Sequence, residues 1–184
     1  HKFFDTLLLA LLVLSGGGLL FVFNRNLFSV ILLLMALFTI VFMGKEIKKS
    51  IFNASLFTLF IFSSLIMINY IVAPGNQKFL KYGFHLMNIT SCVLILTHFR
   101  NNRSTDYFLG IIRWILKIIL YFSVLNFLAY FIIKDNLTPA DGGWNNEYIA
   151  DTFNFIFFYN PEKHALNFFG IELIRNQGWF WEPG

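Results

Sequence analysis

The chain has 184 residues, of which 57% are hydrophobic and 13% charged, with a formal net charge of +4 and a mean hydropathy of +0.65. Soluble domains carry about a quarter charged residues, so this composition excludes an ordinary water-soluble globule and indicates an integral membrane protein. The charge is also unevenly divided. Residues 1–133 hold eleven Lys/Arg against Asp5, Glu46 and Asp106, whereas residues 134–184 hold three bases against seven acids. A basic total of this kind reflects membrane orientation followed by an acidic loop, and not a nucleic-acid surface.

Crossing about 30 Å of hydrocarbon takes roughly 20 apolar residues. Five runs qualify in chain order, at about 3–23, 27–43, 51–72, 79–99 and 107–133. The first is interrupted by Ser15-Gly16-Gly17-Gly18, which reads as a kink, a close helix–helix contact or a re-entrant break. It is not read as a cleaved signal peptide, because another apolar run follows at once and no convincing small-residue cleavage site is present. Most of the 25 phenylalanines lie inside these runs, where lipid contact and bundle packing account for them. Cys92, the one cysteine, lies mid-run and reads as a small packed residue.

Lys and Arg near the run ends set the orientation. Lys2, Lys45, Lys48, Lys49, Arg100 and Arg103 fall on one side, joined by the snorkelling Arg113 and Lys117. Arg25, Lys78, Lys81 and Lys134 fall on the other. The richer side is assigned to the cytoplasm, which puts residues 134–184 on the extracytoplasmic side. The expected fold is therefore all-α, a polytopic helical bundle over 1–133 followed by an outer loop with short helices. Within that loop, residues 136–143 are turn-rich and Phe153–Tyr159 is an aromatic stretch too short to cross, suited to lying along the interface. His164–Ile174 is expected to form a short amphipathic helix that delivers Arg175.

Chemistry-bearing residues concentrate in Arg175-Asn176-Gln177-Gly178-Trp179-Phe180-Trp181-Glu182-Pro183-Gly184. A guanidinium binds phosphate or diphosphate through a planar fork and keeps its charge, which makes Arg175 a substrate-binding candidate; an interfacial Arg paired with Glu172 is the plainer alternative. Glu182 is either a general base for a glycosyl acceptor or an acid at the entrance of a further helix. Trp179 and Trp181 suit a site wall that stacks on sugar rings, or an interfacial aromatic belt. Inside the fourth run, His85, Asn88 and Cys92 share one face with Ser91 beside them. His85 lies toward the outer end as a substrate-binding candidate, against helix–helix hydrogen bonding as the alternative. There is no P-loop, no Cys/His metal spacing, no acidic pair of the nucleotide-sugar transferase kind and no nucleophile elbow, so neither metal nor cofactor is expected.

The ending resembles the R-N-x-G-x-F-W-E-P-G motif of bacterial O-antigen ligase and polymerase-like membrane proteins, and Leu14-Ser-Gly-Gly-Gly-Leu-Leu20 is similar to the start of such proteins. The motif match covers the last ten to fifteen residues. The resemblance implies a metal-independent, outer-face glycosyltransferase of the bacterial inner membrane that takes glycan from an undecaprenyl-diphosphate carrier. It would polymerise oligosaccharide repeat units into O-antigen or another surface polysaccharide. A ligase that transfers glycan to lipid A-core, and a lipid-linked sugar transporter or flippase, are the alternatives. Arg175 is the residue matching the family's diphosphate-engaging arginines; Gly178, Glu182, Pro183 and Gly184 match the motif without a fixed role. Expected partners are the lipid-linked glycan, the bilayer and other polysaccharide-assembly membrane proteins, with no nucleic acid. Family members usually have ten or more spans, so this sequence reads as an N-terminal portion expected to be inactive by itself.

Overall fold

The computed structural model describes residues 2–16, 24–43, 46–73, 79–142, 147–160, 166–168, 171–173 and 175–176. It is mostly helical. The helices are α1 (Lys2–Leu14), α2 (Arg25–Phe38, continuing as a π-helical turn over Thr39–Met43), α3 (Lys49–Val72), α4 (Phe79–Asn102) and α5 (Thr105–Ile133). A 3₁₀ turn, Lys134–Asn136, extends α5.

Three helical stretches are long and apolar enough to cross a membrane: Lys49–Val72, Phe79–Asn102 and Thr105–Asn136. They correspond to the last three of the five expected runs. The other two are shorter. α1 has 13 residues, about 20 Å at 1.5 Å per residue, and residues 17–23 of its expected span lie outside the described residues. In the second run the apolar helix covers Asn26–Phe42.

Local chemistry sets the helix ends. α3 stops where Ala73 turns extended, at φ −62° and ψ 131°, because a residue preceding proline (here Pro74) is driven out of the helical region. α4 and α5 are separated by Arg103 and Ser104 alone. Ser104 Oγ accepts the Tyr107 N–H at 3.2 Å, an N-cap that satisfies one of the four unpaired donors of the new helix. The surfaces of α3 and α5 are apolar nearly all round, with Phe57, Phe60, Ile68, Ile71, Leu120, Leu125 and Leu128 exposed. That pattern suits lipid, not water.

The chain divides into two compact units, one made of residues 1–15 and 26–112, the other of 16–25 and 113–184. In the first, Leu8, Leu9, Leu32, Ala36, Ile95 and Phe99 form the core. α3 and α4 form an antiparallel hairpin joined by a 2.6 Å Ser55–Thr97 hydroxyl bond. At its base the Asn101 side chain accepts the Lys48 N–H at 3.2 Å and donates to the Glu46 carbonyl at 3.1 Å.

In the second unit, the segment after α5 corrects the all-α expectation. It is built of strands: β1 (Thr138–Gly142), β2 (Glu147–Phe153), β3 (Phe157–Asn160), β4 (Leu166–Phe168), β5 (Ile171–Leu173) and β6 (Arg175–Asn176). One sheet has the order β1-β2-β3-β6, and β4 pairs with β5. All the pairings are antiparallel. The expected helix over 164–174 is thus a small hairpin, with Leu166 opposite Leu173 and Phe168 opposite Ile171. Leu, Phe and Ile at alternate positions favour a pleated strand. Within the turn-rich 136–143 stretch, Thr138–Gly142 is an edge strand, where Pro139 costs no ladder bond that a central strand would need, with a bulge at Ala140/Asp141. The aromatic stretch is the β2–β3 hairpin. Its turn holds Asn154 and Phe155 in the left-handed region, at φ 52° and 56°, and Ile156 N–H donates to the Phe153 carbonyl at 3.1 Å.

Candidate functional site

The terminal motif begins on the sheet. β6 pairs with β3 so that Arg175 lies opposite Asn160 and Asn176 opposite Tyr159. The Arg175 side chain, and Gly178, Trp179, Trp181 and Glu182 entirely, lie outside the described residues. What the structure describes in detail is the scaffold under them.

That scaffold is fixed to the second half of α5 by three successive contacts. Phe122 stacks on Phe157, with ring centroids 5.7 Å apart and planes 15° from parallel. The buried Asn126 side chain donates to the Phe158 carbonyl at 3.0 Å and accepts the Phe158 N–H at 3.2 Å. The Tyr159 hydroxyl donates to the Asn126 carbonyl at 2.7 Å, and its ring meets Tyr130 at 5.2 Å. The β3–β6 ladder covers Tyr159 and Asn160. One residue earlier, Asn126 presents to Phe158 the donor–acceptor pair that a neighbouring strand would present. Thr152 Oγ1 donates to the Phe157 carbonyl and Thr138 Oγ1 to the Thr152 carbonyl, at 2.9 and 3.2 Å.

Burial pushes the Tyr159 phenol up to about 12, with the neighbouring Tyr130 adding to the shift. The group is neutral in the fold, and its stabilising bond needs its proton. Its contribution is therefore complete below the ordinary tyrosine value of about 10 and is lost as pH rises through about 12. A difference titration at 295 nm between the protein and a Tyr159→Phe variant is expected to show this phenolate appearing only above pH 11. A normal titration near pH 10 would contradict the buried, donating hydroxyl.

His85 is half-buried on α4, with the Tyr82 ring edge-on at 6.4 Å. On the same helix the Asn88 side-chain Oδ1 is buried without a hydrogen-bond partner among the described residues. Ser91 is buried and bonds back to the Met87 carbonyl at 2.8 Å, the usual way a helical serine satisfies itself. Cys92 is half-buried and unpaired in any disulfide.

The first unit also contains a constellation that the sequence reading passes over. Asp5 of α1 is completely buried. Its Oδ2 accepts Arg103 Nε–H at 2.9 Å and the Tyr107 hydroxyl at 3.0 Å, while Oδ1 faces His98 Nε2 at 3.7 Å. Arg103 also lies 5.8 Å from the Tyr107 ring centroid, as a cation–π contact. The Asn102 amide donates to the His98 carbonyl at 3.1 Å, which fixes its orientation, and the same nitrogen lies 3.2 Å from His98 Nδ1. Nδ1 must then accept, so the neutral ring carries its proton on Nε2, aimed at Asp5. The cluster is electrically balanced by one carboxylate and one guanidinium. It ties the start of α1 to the α4–α5 junction. The sequence signal was available: Asp5 is the sole acid in its apolar run, and an ionisable residue in such a run calls for a partner.

Comparison of the chain with family models, with curated proteins and with solved structures found no match.

Proposed function

We propose that this protein is a metal-independent glycosyltransferase of the bacterial inner membrane, acting on undecaprenyl-diphosphate-linked glycan at the outer face and polymerising repeat units. The observation that carries this reading is the Arg175–Gly184 motif. Its first two residues continue a sheet anchored to α5 by Asn126, Tyr130 and Tyr159, a rigid base of the kind a binding constellation needs. In this reading α1 and α2 belong to two further crossings, making five. Supporting the orientation, α1 begins where α4 ends, through Asp5–Arg103. The base of the α3–α4 hairpin lies at that same end of α4, through Asn101. Lys2, Lys48, Lys49, Arg100 and Arg103, among the basic residues assigned to the cytoplasm, thus lie at helix ends that meet.

The chemistry follows from charge development. As the acceptor hydroxyl attacks the anomeric carbon, the bond to the carrier breaks and negative charge grows on the departing diphosphate. Arg175 stabilises that charge where it develops, and Glu182 takes the acceptor proton. Trp179 and Trp181 stack on sugar, and His85 on α4 is a separate substrate-binding candidate. An Arg175→Ala substitution is expected to abolish long glycan chains while leaving single repeats at the cell surface, read on a glycan gel. Long chains at the normal rate would sink the role of Arg175. Loss of every repeat from the surface in a strain lacking the gene would point to a flippase, and intact polymer left unattached to lipid A-core would point to a ligase.

A further inference from the structure

We infer that the β2–β3 hairpin is a membrane wedge, its tip residues Phe155 and Ile156 lying among the acyl chains of the leaflet at the C-terminal end of α5. This rests on α5 crossing a bilayer and is independent of any glycan chemistry.

The contacts between β3 and α5 run in order. Phe157 meets Phe122, Phe158 meets Asn126 and Tyr159 meets Tyr130. β3 therefore climbs in the same direction as α5, and the turn preceding Phe157 points back toward the middle of the helix. Asn126 is 21 residues beyond Thr105, the start of α5, or about 32 Å along the axis. That is about the thickness of the hydrocarbon layer, so Asn126 lies near its far boundary when α5 enters at Thr105. The tip precedes Phe158 by two to three strand residues, a descent of up to about 10 Å. Helix tilt, or a shallower start near Arg113, takes the tip deeper still.

The side chains agree with this placement. Phe155 is 68% and Ile156 50% exposed, two large apolar groups adjacent at a turn tip. The turn holds Phe155 in the left-handed region, where a water-facing hairpin would carry glycine. The backbone behind the tip is equipped for low dielectric. Asn126 takes both polar groups of Phe158, and Thr152 donates to the Phe157 carbonyl. Irregular backbone at membrane depth survives only where such groups are satisfied within the protein. The wedge also sets the height of β6. Asn160, opposite Arg175, is two strand residues above Phe158, about 7 Å, which brings the Arg175 backbone to the head-group layer.

Nitroxide labels on Phe155→Cys and, separately, Ile156→Cys test this in a Cys92→Ser background, with the protein in phosphatidylethanolamine–phosphatidylglycerol vesicles. Leu120→Cys on exposed α5 and Asp135→Cys in the exposed 3₁₀ turn serve as references. The wedge predicts that both tip labels collide more with oxygen than with a water-soluble nickel chelate, as at Leu120, with the ratio reversed at Asp135. Ile156 is outside the left-handed pair, so its label reports even if the Phe155 replacement disturbs the turn. Tip labels open to nickel with Leu120 still in lipid would overturn the wedge alone. Tip labels shielded from both reagents would overturn it in favour of a protein partner. A nickel-accessible Leu120 would overturn the α5 crossing, and the wedge with it.

Discussion

Replacing Asn126 by leucine is expected to lower stability by about 2–6 kcal/mol, because two hydrogen bonds to the Phe158 backbone disappear and each buried polar group left facing an apolar side chain costs about 1–3 kcal/mol. The effect is confined to the sheet. α5 keeps its own internal bonds, so helical circular dichroism is preserved while residues 134–176 become sensitive to protease. Asn126→Asp retains an acceptor for the Phe158 N–H but turns a donor into a second oxygen facing the Phe158 carbonyl. It is therefore expected to destabilise as well, although it is nearly isosteric. Thermal unfolding in detergent followed by tryptophan fluorescence reads both variants. An unchanged midpoint for Asn126→Leu would show that Asn126 does not hold the sheet.

Asp5 gives the second large effect. Asp5→Leu removes the acceptor of Arg103 and of the Tyr107 hydroxyl at once. Breaking a buried pair from one side costs about 3–5 kcal/mol. Arg103 retains 27% exposure and can turn partly toward water, so about 2–4 kcal/mol is expected. Arg103→Leu is expected to be worse, since Asp5 is fully buried and has no such escape. The Asp5→Leu/Arg103→Leu double variant should recover much of the loss, as removing both charges abolishes the uncompensated one. Additive losses in the double variant would mean that the two residues act separately.

Helices were legible where a long apolar run ended in a chemical stop: α3 before Pro74, α4 before Arg103-Ser104. Runs of that length leave no competing period. The strands were harder. β4 and β5 have three residues each, too few for alternation to be told from helical spacing. Leu166, Phe169 and Leu173 fit a helical face about as well as Leu166 with Phe168, and Ile171 with Leu173, fit two short strands. Pro139 and Gly142 read as turn because an edge strand with a bulge uses the same residues as a loop. Asp5 and Asn126 were each visible as a polar residue inside an apolar run. Their partners, Arg103 and Phe158, were not, since 98 and 32 residues separate them in sequence and no local pattern encodes that distance. The motif after Arg175 was legible only as a resemblance, and its residues beyond Asn176 lie outside the described structure.

Native mass spectrometry of the purified protein with undecaprenyl-diphosphate-linked oligosaccharide tests most directly whether Arg175 engages a lipid diphosphate. A charge-assisted bidentate contact contributes about 1.5–3 kcal/mol, so Arg175→Ala is expected to weaken the complex about tenfold or more. Arg175→Lys should rescue it only in part, because an ammonium supplies charge without the planar fork. The corresponding monophosphate carrier should bind the unaltered protein more weakly than the diphosphate. Equal binding of the diphosphate-linked glycan by the unaltered protein and Arg175→Ala would contradict the account.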